Sequence, residues 1–221
     1  MIILDKLLAV FAPFECLLCG AEEDLLCFAC TRKMPIEPVY CFSCRQPLGQ
    51  DNCAAPICTK NPINRLYSVA SYTGIYKELV LSLKSEGIVS SACLMAEMMA
   101  KNIPRNSKLV ITHIPTASSR IRLRGFDHSA LLAREISRIT KLPNIKFLLR
   151  NNQSRQVGAT KTERLENIKS ALGARNTQCI KGAKILLVDD VLTTGATTET
   201  AAKVLLKAGA KSVDVVVFAV A

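Results

Sequence analysis

Apolar and polar positions change their spacing several times along this chain, and each change marks an element. Residues 65–72 alternate, with Leu66, Val69 and Ser71 set against Tyr67, Ala70 and Tyr72, the two-residue period of a strand. Gly74 breaks that pattern, and residues 75–83 take up a helical one with Leu79, Val80 and Leu83 on the core side. Lys84-Ser-Glu-Gly87 reads as a turn, and residues 90–101, rich in Ala and Met, as a second helix. Leu109-Val-Ile-Thr-His-Ile-Pro115 is a buried strand closed by its proline, and a helix over 129–141 follows with Asp127 as its N-cap. Residues 145–149 form a third strand, 163–170 a helix, and 185–188 and 213–220 two more buried strands. Between the last two lies a helix with Ala201, Val204, Leu205 and Ala208 on one face and Gly209 as its stop. Strands and helices that alternate from residue 65 onward predict a parallel α/β sheet flanked by helices, with ligand bound outside the carboxyl ends of the strands.

The first 64 residues follow no such rhythm. Residues 1–14 are apolar but interrupted by Asp5 and ended near Pro13, which reads as a short amphipathic helix and not a signal peptide. No run approaches the roughly 18 apolar residues of a membrane span, so a cytoplasmic protein is expected. Eight of the ten cysteines then fall in residues 15–60, as Cys16-x-x-Cys19, Cys27-x-x-Cys30, Cys41-x-x-Cys44 and Cys53-x4-Cys58. A C-x-x-C knuckle turns two thiolates toward one ion, and two knuckles complete a tetrahedron. The four pairs therefore predict about two structural Zn2+ sites. Sequential pairing is the simplest arrangement, and interleaving stays open. Disulfides are the rival reading and fit poorly with a chain that lacks a signal peptide. Cys93 and Cys179 stand apart and read as small core residues. Asn61-Pro-Ile-Asn64 is the linker, giving a cysteine-rich module over 1–62 and an α/β domain over 63–221.

Charge is uneven. The net charge is +11, and residues 101–175 hold 16 Lys+Arg against 4 Asp+Glu. The basic character thus belongs to one segment, suited to a polyphosphate or to nucleic acid. Arg120, Arg122 and Arg124 recur at every second position, which in an extended loop would align them on one side. The polar, basic stretch over 150–162 has no apolar period and reads as a loop.

The densest chemistry is Ile185-Leu-Leu-Val-Asp-Asp-Val-Leu-Thr-Thr-Gly-Ala-Thr197. A buried strand runs into a hydroxyl-rich turn with one glycine and then into a helix. That is the geometry of a phosphate site: unpaired N–H groups and the positive dipole at the helix start, with Gly195 allowing a tight turn. Asp189 and Asp190 would repel a phosphate, so they are expected to face a diol, whose hydroxyls a carboxylate accepts. Phosphoribosyl pyrophosphate (PRPP) carries a phosphate, a diol and a metal-bound pyrophosphate.

Val188-Asp-Asp-Val-Leu-Thr-Thr-Gly-Ala-Thr197 resembles the PRPP-binding motif of type I phosphoribosyltransferases. Pro115, Arg120 and Arg124-Gly-Phe126, with Gln156-x-Gly158 and Arg164-x-x-Asn167 ahead of Ala171, are similar to the ComF family of phosphoribosyltransferase-like proteins. Asp127-His128 departs from that family's usual Asn-Gln. The resemblance implies a type I phosphoribosyltransferase fold behind a zinc ribbon and an early pyrophosphate turn that includes Lys84. It also implies a mobile loop over 150–162. In that reading Asp189 and Asp190 hold the ribose and Thr193, Thr194, Gly195, Ala196 and Thr197 hold the 5′-phosphate. Lys84, Arg120 and Arg124 face the pyrophosphate, and Mg2+ arrives with PRPP. It further implies Mg-dependent phosphoribosyl transfer to an unidentified acceptor, linked to natural transformation and to single-stranded DNA or DNA-uptake proteins. The alternative is a PRPP-sensing or DNA-binding protein that keeps the fold without turnover.

Overall fold

The computed structural model describes residues 15–22, 24–35, 37–49, 53–86, 89–104, 107–150 and 172–221 of the chain. Its centre is a sheet of order β1-β2-β7-β6-β3. Strands β2 (Arg65–Ser71), β3 (Leu109–His113), β6 (Lys184–Leu192) and β7 (Ser212–Val220) are parallel neighbours in that order. Strand β1 (Tyr40–Cys41) closes one edge antiparallel to β2, with Tyr40 opposite Leu66.

Side chains alternate across this sheet and build two cores. Leu186, Val188, Val216 and Phe218 face one core, with Leu79, Met95, Leu132 and Ile136. These last four come from helices α3 (Gly74–Leu81), α4 (Val89–Asn102) and α6 (His128–Thr140). Ile185, Leu187, Val215 and Val217 face the other, covered by Ala201 and Leu205 of helix α8 (Ala196–Lys207) and by Phe147. Ile185 to Val188 are fully buried. At about 1.5–3 kcal/mol for each buried apolar side chain, opening that run would forfeit roughly the whole net stability of a domain. Strand β6 is therefore the fixed reference for whatever its end carries.

The cysteine module is built into this frame. Besides strand β1 it contributes short helices α1 (Phe28–Arg32) and α2 (Pro56–Thr59). Leu25 and Leu26 enter the first core, and Phe42 and Ile63 the second.

Four expectations change. The strand expected at 145–149 lies at Leu148–Arg150 (β4) and pairs antiparallel with β5 (Leu172–Ala174) in a separate small sheet. A short apolar run carries no information about its partner, which is why the pattern put it in the main sheet. The arginine segment is a helix, α5 (Ser118–Arg124), and not an extended loop; Gly125 in the left-handed region (φ 82°) ends it. The turn at Lys84 is a π-helical extension of α3, Ser82–Glu86. It is pinned because the Ser82 hydroxyl bonds Leu79 O at 2.9 Å and Ser91 Oγ at 2.6 Å. Cys179 is exposed, not core, in the short helix α7 (Thr177–Ile180). The helix expected over 1–14, the loop over 150–162, the helix over 163–170, and Gln156, Gly158, Arg164, Asn167 and Ala171 lie, apart from Arg150, outside the described residues.

Asp214 sits inside β7, where burial pushes its carboxyl up to about 6 against the opposing pull of Arg65 and Lys184. The unfolded chain ionises this group near pH 4, so between about pH 4 and 6 the folded state holds the extra proton. Stability is lost as pH rises through that window. Asp214→Asn should therefore raise the melting temperature at pH 8 and leave it little changed at pH 4, measured by thermal denaturation at both values.

Candidate active site at the carboxyl end of β6

Strand β6 outruns its neighbour. Pairing with β3 ends at His113 opposite Val188, with a last bond from Ile114 N to Val188 O. Beyond that point β6 is paired only with β7, through to Leu192 opposite Val220. The exposed backbone edge needs acceptors, and the two acids supply them. Asp190 N donates to Asp189 Oδ1 at 3.0 Å, and Val191 N to Asp190 Oδ1 at 2.6 Å. Both acids thus lie within the strand, not after it, and Asp190 is only 4% exposed. The expectation that both stand open to a ligand is corrected on this point.

Helix α6 meets them with its first turn. Asp127 is its N-cap as expected, accepting from Ala130 N. Its carboxylate also accepts from the Thr116 hydroxyl at 2.8 Å. Ser129 Oγ donates to Asp189 Oδ1 at 3.0 Å. Asp190 Oδ2 lies 2.8 Å from His128 Nε2 and 2.7 Å from Lys84 Nζ. On its other side the His128 ring places Nδ1 3.4 Å from Arg124 Nη1. A guanidinium can only donate, so Nδ1 is the acceptor and the ring proton sits on Nε2, facing Asp190. Burial alone would push Asp190 up. The His128 hydrogen bond and the Lys84 charge outweigh it and hold this carboxyl at about 2. Asp189 goes the other way: burial, and then the neighbouring Asp190 charge, push it up to about 7. His113, at the end of β3, is buried and 3.9 Å from Asp127, and burial lowers its pKa so that it stays neutral.

The turn after β6 follows. Thr193 and Thr194 are exposed, Gly195 is buried in the left-handed region (φ 79°), and α8 begins at Ala196. Ala196 and Thr197 are half-buried in its first turn, whose N–H groups have no partners within the helix. The turn therefore offers backbone donors, two open hydroxyls and the helix dipole to an anion. A second feature favours glycine here: a Cβ at Gly195 would stand 3.1 Å from the Phe42 ring, a tight contact. An open cleft of about 690 Å³ lies at the opposite end, lined by Arg65, Lys108, Lys184, Lys211 and others, and touches none of these residues.

Of the expected site residues, Lys84, Asp189 and Asp190 come together with the 193–197 turn on the same strand end. Arg124 joins them through His128. Arg120 and Arg122 are exposed on α5, with no hydrogen bond or ion pair among the described residues placing them at the acids. His128, Ser129 and Phe42 had no assigned role in the sequence. The only signal for His128 was its departure from the family pattern, and Phe42 lies far away in the chain.

The cysteines form two clusters, Cys16, Cys19, Cys27, Cys30 and Cys41, Cys44, Cys53, Cys58, each with its sulfurs within 4.8 Å of one another. This is the sequential pairing. Sulfur–sulfur distances of 3.7 Å (Cys19–Cys27) and 3.9 Å (Cys44–Cys53) match the edge of a tetrahedron with Zn–S bonds of about 2.3 Å and are far from a disulfide's roughly 2.05 Å. Crowded thiols also split: the Cys27 backbone N–H draws Cys16 down to about 6, while the thiol of Cys27 helps push Cys30 up to about 12. The donor set fits a soft divalent cation.

The strand end that carries Asp189 and Asp190 lies within a segment that matches a known family. Residues 127–220 match the Phosphoribosyl transferase domain family. The chain is 28% identical to "Competence protein ComFC" of Bacillus subtilis (strain 168), over 88% of this chain and 89% of that one. It is also 28% identical to "DNA utilization protein YhgH" of Salmonella typhi, over 92% and 95%. Among solved structures it is similar to an allosteric regulatory enzyme of purine biosynthesis, with 21% identity and a TM-score of 0.43 over 58% of this chain and 25% of that one. The fold is a type I phosphoribosyltransferase fold, a mainly parallel sheet with flanking helices. Over most of its length the chain is similar to proteins of the ComF type, with a cysteine-rich module ahead of the matched domain. No described helix is long and apolar enough to cross a membrane.

The two acids should respond oppositely to neutralisation. Asp190, held low, contributes stability above about pH 4 and loses it as pH falls toward 2; Asp189, held high, weakens the fold as pH rises from about 4 to 7. Asp190→Asn leaves Lys84 and His128 without their anion and should cost about 2–3 kcal/mol, or roughly 5–10 °C in Tm. Asp189→Asn at pH 8 should leave Tm unchanged or raise it. Thermal melts of both single variants check this.

Proposed function

We propose that this protein binds PRPP with Mg2+ and transfers its phosphoribosyl group to an acceptor, releasing pyrophosphate. The observation that carries the reading is the joining, on one strand end inside the matched domain, of Asp189 and Asp190 to the 193–197 anion turn. In this reading the backbone N–H groups and hydroxyls of the turn hold the 5′-phosphate. Asp189 and Asp190 accept the ribose hydroxyls. Lys84 exchanges its contact with Asp190 for the incoming pyrophosphate, and Arg124, held by His128, faces the same group. When the acceptor attacks ribose C1 and the C1–oxygen bond to pyrophosphate breaks, positive charge develops on the ring, and the buried carboxylates lie where they stabilise it. Mg2+ bound with PRPP screens the pyrophosphate charge. The division at residues 62/63, the Zn2+ in both clusters and the cytoplasmic setting belong to the same proposal.

A second reading is sensing or DNA handling without turnover. It is favoured by the tight Lys84–Asp190 contact, which closes the ribose acceptor in the free protein, and by the basic 101–175 segment as a surface for single-stranded DNA.

Incubation of the purified protein with PRPP labelled in the ribose, with Mg2+, a nucleobase panel and single-stranded DNA, separates the two. Label transfer with pyrophosphate release supports the transferase, and saturable binding without transfer supports the sensor. Absence of any PRPP binding overturns the transferase and the PRPP sensor and leaves only DNA handling. Asp189→Asn should weaken PRPP binding about tenfold, since hydrogen bonds to a carboxylate exceed neutral ones by about 1–1.5 kcal/mol. Ribose-free phosphate should lose little, and calorimetry with both ligands measures the difference. The zinc content should be about two per chain and fall by one in Cys41→Ser/Cys44→Ser, read by metal analysis.

A further inference from the structure

The cysteine module reaches the 193–197 turn through Phe42. Phe42 stands between Cys41 and Cys44, two donors of the second cluster, so a shared ion fixes the backbone on both sides of it. The knuckle is closed by Arg45 N to Cys41 O (3.0 Å) and Cys41 N to Gln46 O (2.9 Å), and its base is paired to the main sheet where Cys41 faces Arg65. From there the ring turns inward. Phe42 is 3% exposed and packs in the core that holds Leu66, Leu192 and Val217. The tip of the ring comes within 3.1 Å of the position a Cβ would take on Gly195. The Arg45 guanidinium lies over the ring, 4.8 Å from its centroid, which fixes the ring's orientation. Gly195 in turn holds the first turn of α8, since its carbonyl accepts from Glu199 N at 2.8 Å.

We propose that the second cysteine cluster, acting through Phe42 as a positioning residue, sets the shape of the 193–197 turn, so that phosphate binding there depends on the metal of that cluster. The ring fills the space on the side of Gly195 where every other residue carries a side chain. Remove the ring, and a left-handed glycine that follows two exposed threonines loses the packing that keeps the N–H groups of the turn converged. Remove the metal, and the knuckle that presents the ring loses the constraint on both sides of it. The first cluster has no such contact with the turn among the described residues, so the two metals have different consequences. The second half of this inference rests on the phosphate reading of the turn; the first half does not.

Amide hydrogen exchange on the full chain separates them. The comparison is between the metal-loaded protein, the same protein with zinc withdrawn stepwise by a chelator, and the variants Phe42→Ala and Phe42→Leu. Exchange across 193–199 should rise at least tenfold in Phe42→Ala and on loss of the second metal, with α6 still protected, and Phe42→Leu should restore most of the protection. Ribose 5-phosphate affinity, measured by calorimetry, should fall about tenfold in step. Unchanged exchange at 193–199 in protein that has lost the second metal and keeps α6 protected overturns the inference. So does a turn that loosens while ribose 5-phosphate binds as before. Coupled exchange in a wild type that binds no ribose 5-phosphate overturns the phosphate reading and leaves the hold of Phe42 on the turn standing.

Discussion

The site depends on one buried carboxylate. Asp190 is nearly closed to solvent, yet it is held ionised because His128 and Lys84 meet the same oxygen from two sides. An isolated charge in that position would cost several kcal/mol, so the surrounding elements must keep both partners in place. Their positions follow from this need. His128 stands in the first turn of α6, oriented by Arg124 on its far nitrogen and by the Asp127 cap beside it. Lys84 arrives on a π-helical turn that Ser82 and Ser91 tie to α4. Helices α3, α5 and α6 are thereby referred to the end of β6.

The same arrangement gives the adjacent acids unequal tasks. Asp190 takes the Lys84 ammonium and the His128 N–H and stays charged. Asp189 takes only a serine hydroxyl and backbone, and burial beside a fixed negative charge brings it within reach of neutral pH. Two groups of one chemical type, one residue apart, are separated by environment alone.

The amino-terminal module belongs to this economy of contacts and is not an appendage. Strand β1 extends the sheet, Leu25 and Leu26 enter one core, and Phe42 enters the other against the 193–197 turn. A four-thiolate cluster has no open position for chemistry, so its contribution is geometric. It makes a short, core-poor stretch rigid enough to brace a loop.

The sequence by itself determined what local chemistry dictates. The strand–turn–helix at 185–197, the parallel α/β order, the Asp127 cap and the cysteine knuckles were all legible, because each is a short-range pattern of period, cap or spacing. Asp189, Asp190 and Lys84 were singled out through the family motifs, and the structure brings Lys84 onto Asp190. Tertiary structure alone decided the rest. Leu148–Arg150 reads as a strand from any direction, but its partner lies in β5. The spacing of the arginines at 120, 122 and 124 pointed to an extended loop, whereas the segment is a helix ended by Gly125, which leaves Arg120 outside the cluster that Arg124 joins. Lys84 was placed toward a ligand and is found on Asp190, a contact across more than a hundred residues. His128 acquires its role only because α6 docks its first turn on an overrunning strand, and Phe42 only because an edge strand carries it to Gly195. Periodicity records which face of an element is apolar. It holds no information about which polar group waits on the next element, and in this protein those meetings are the site.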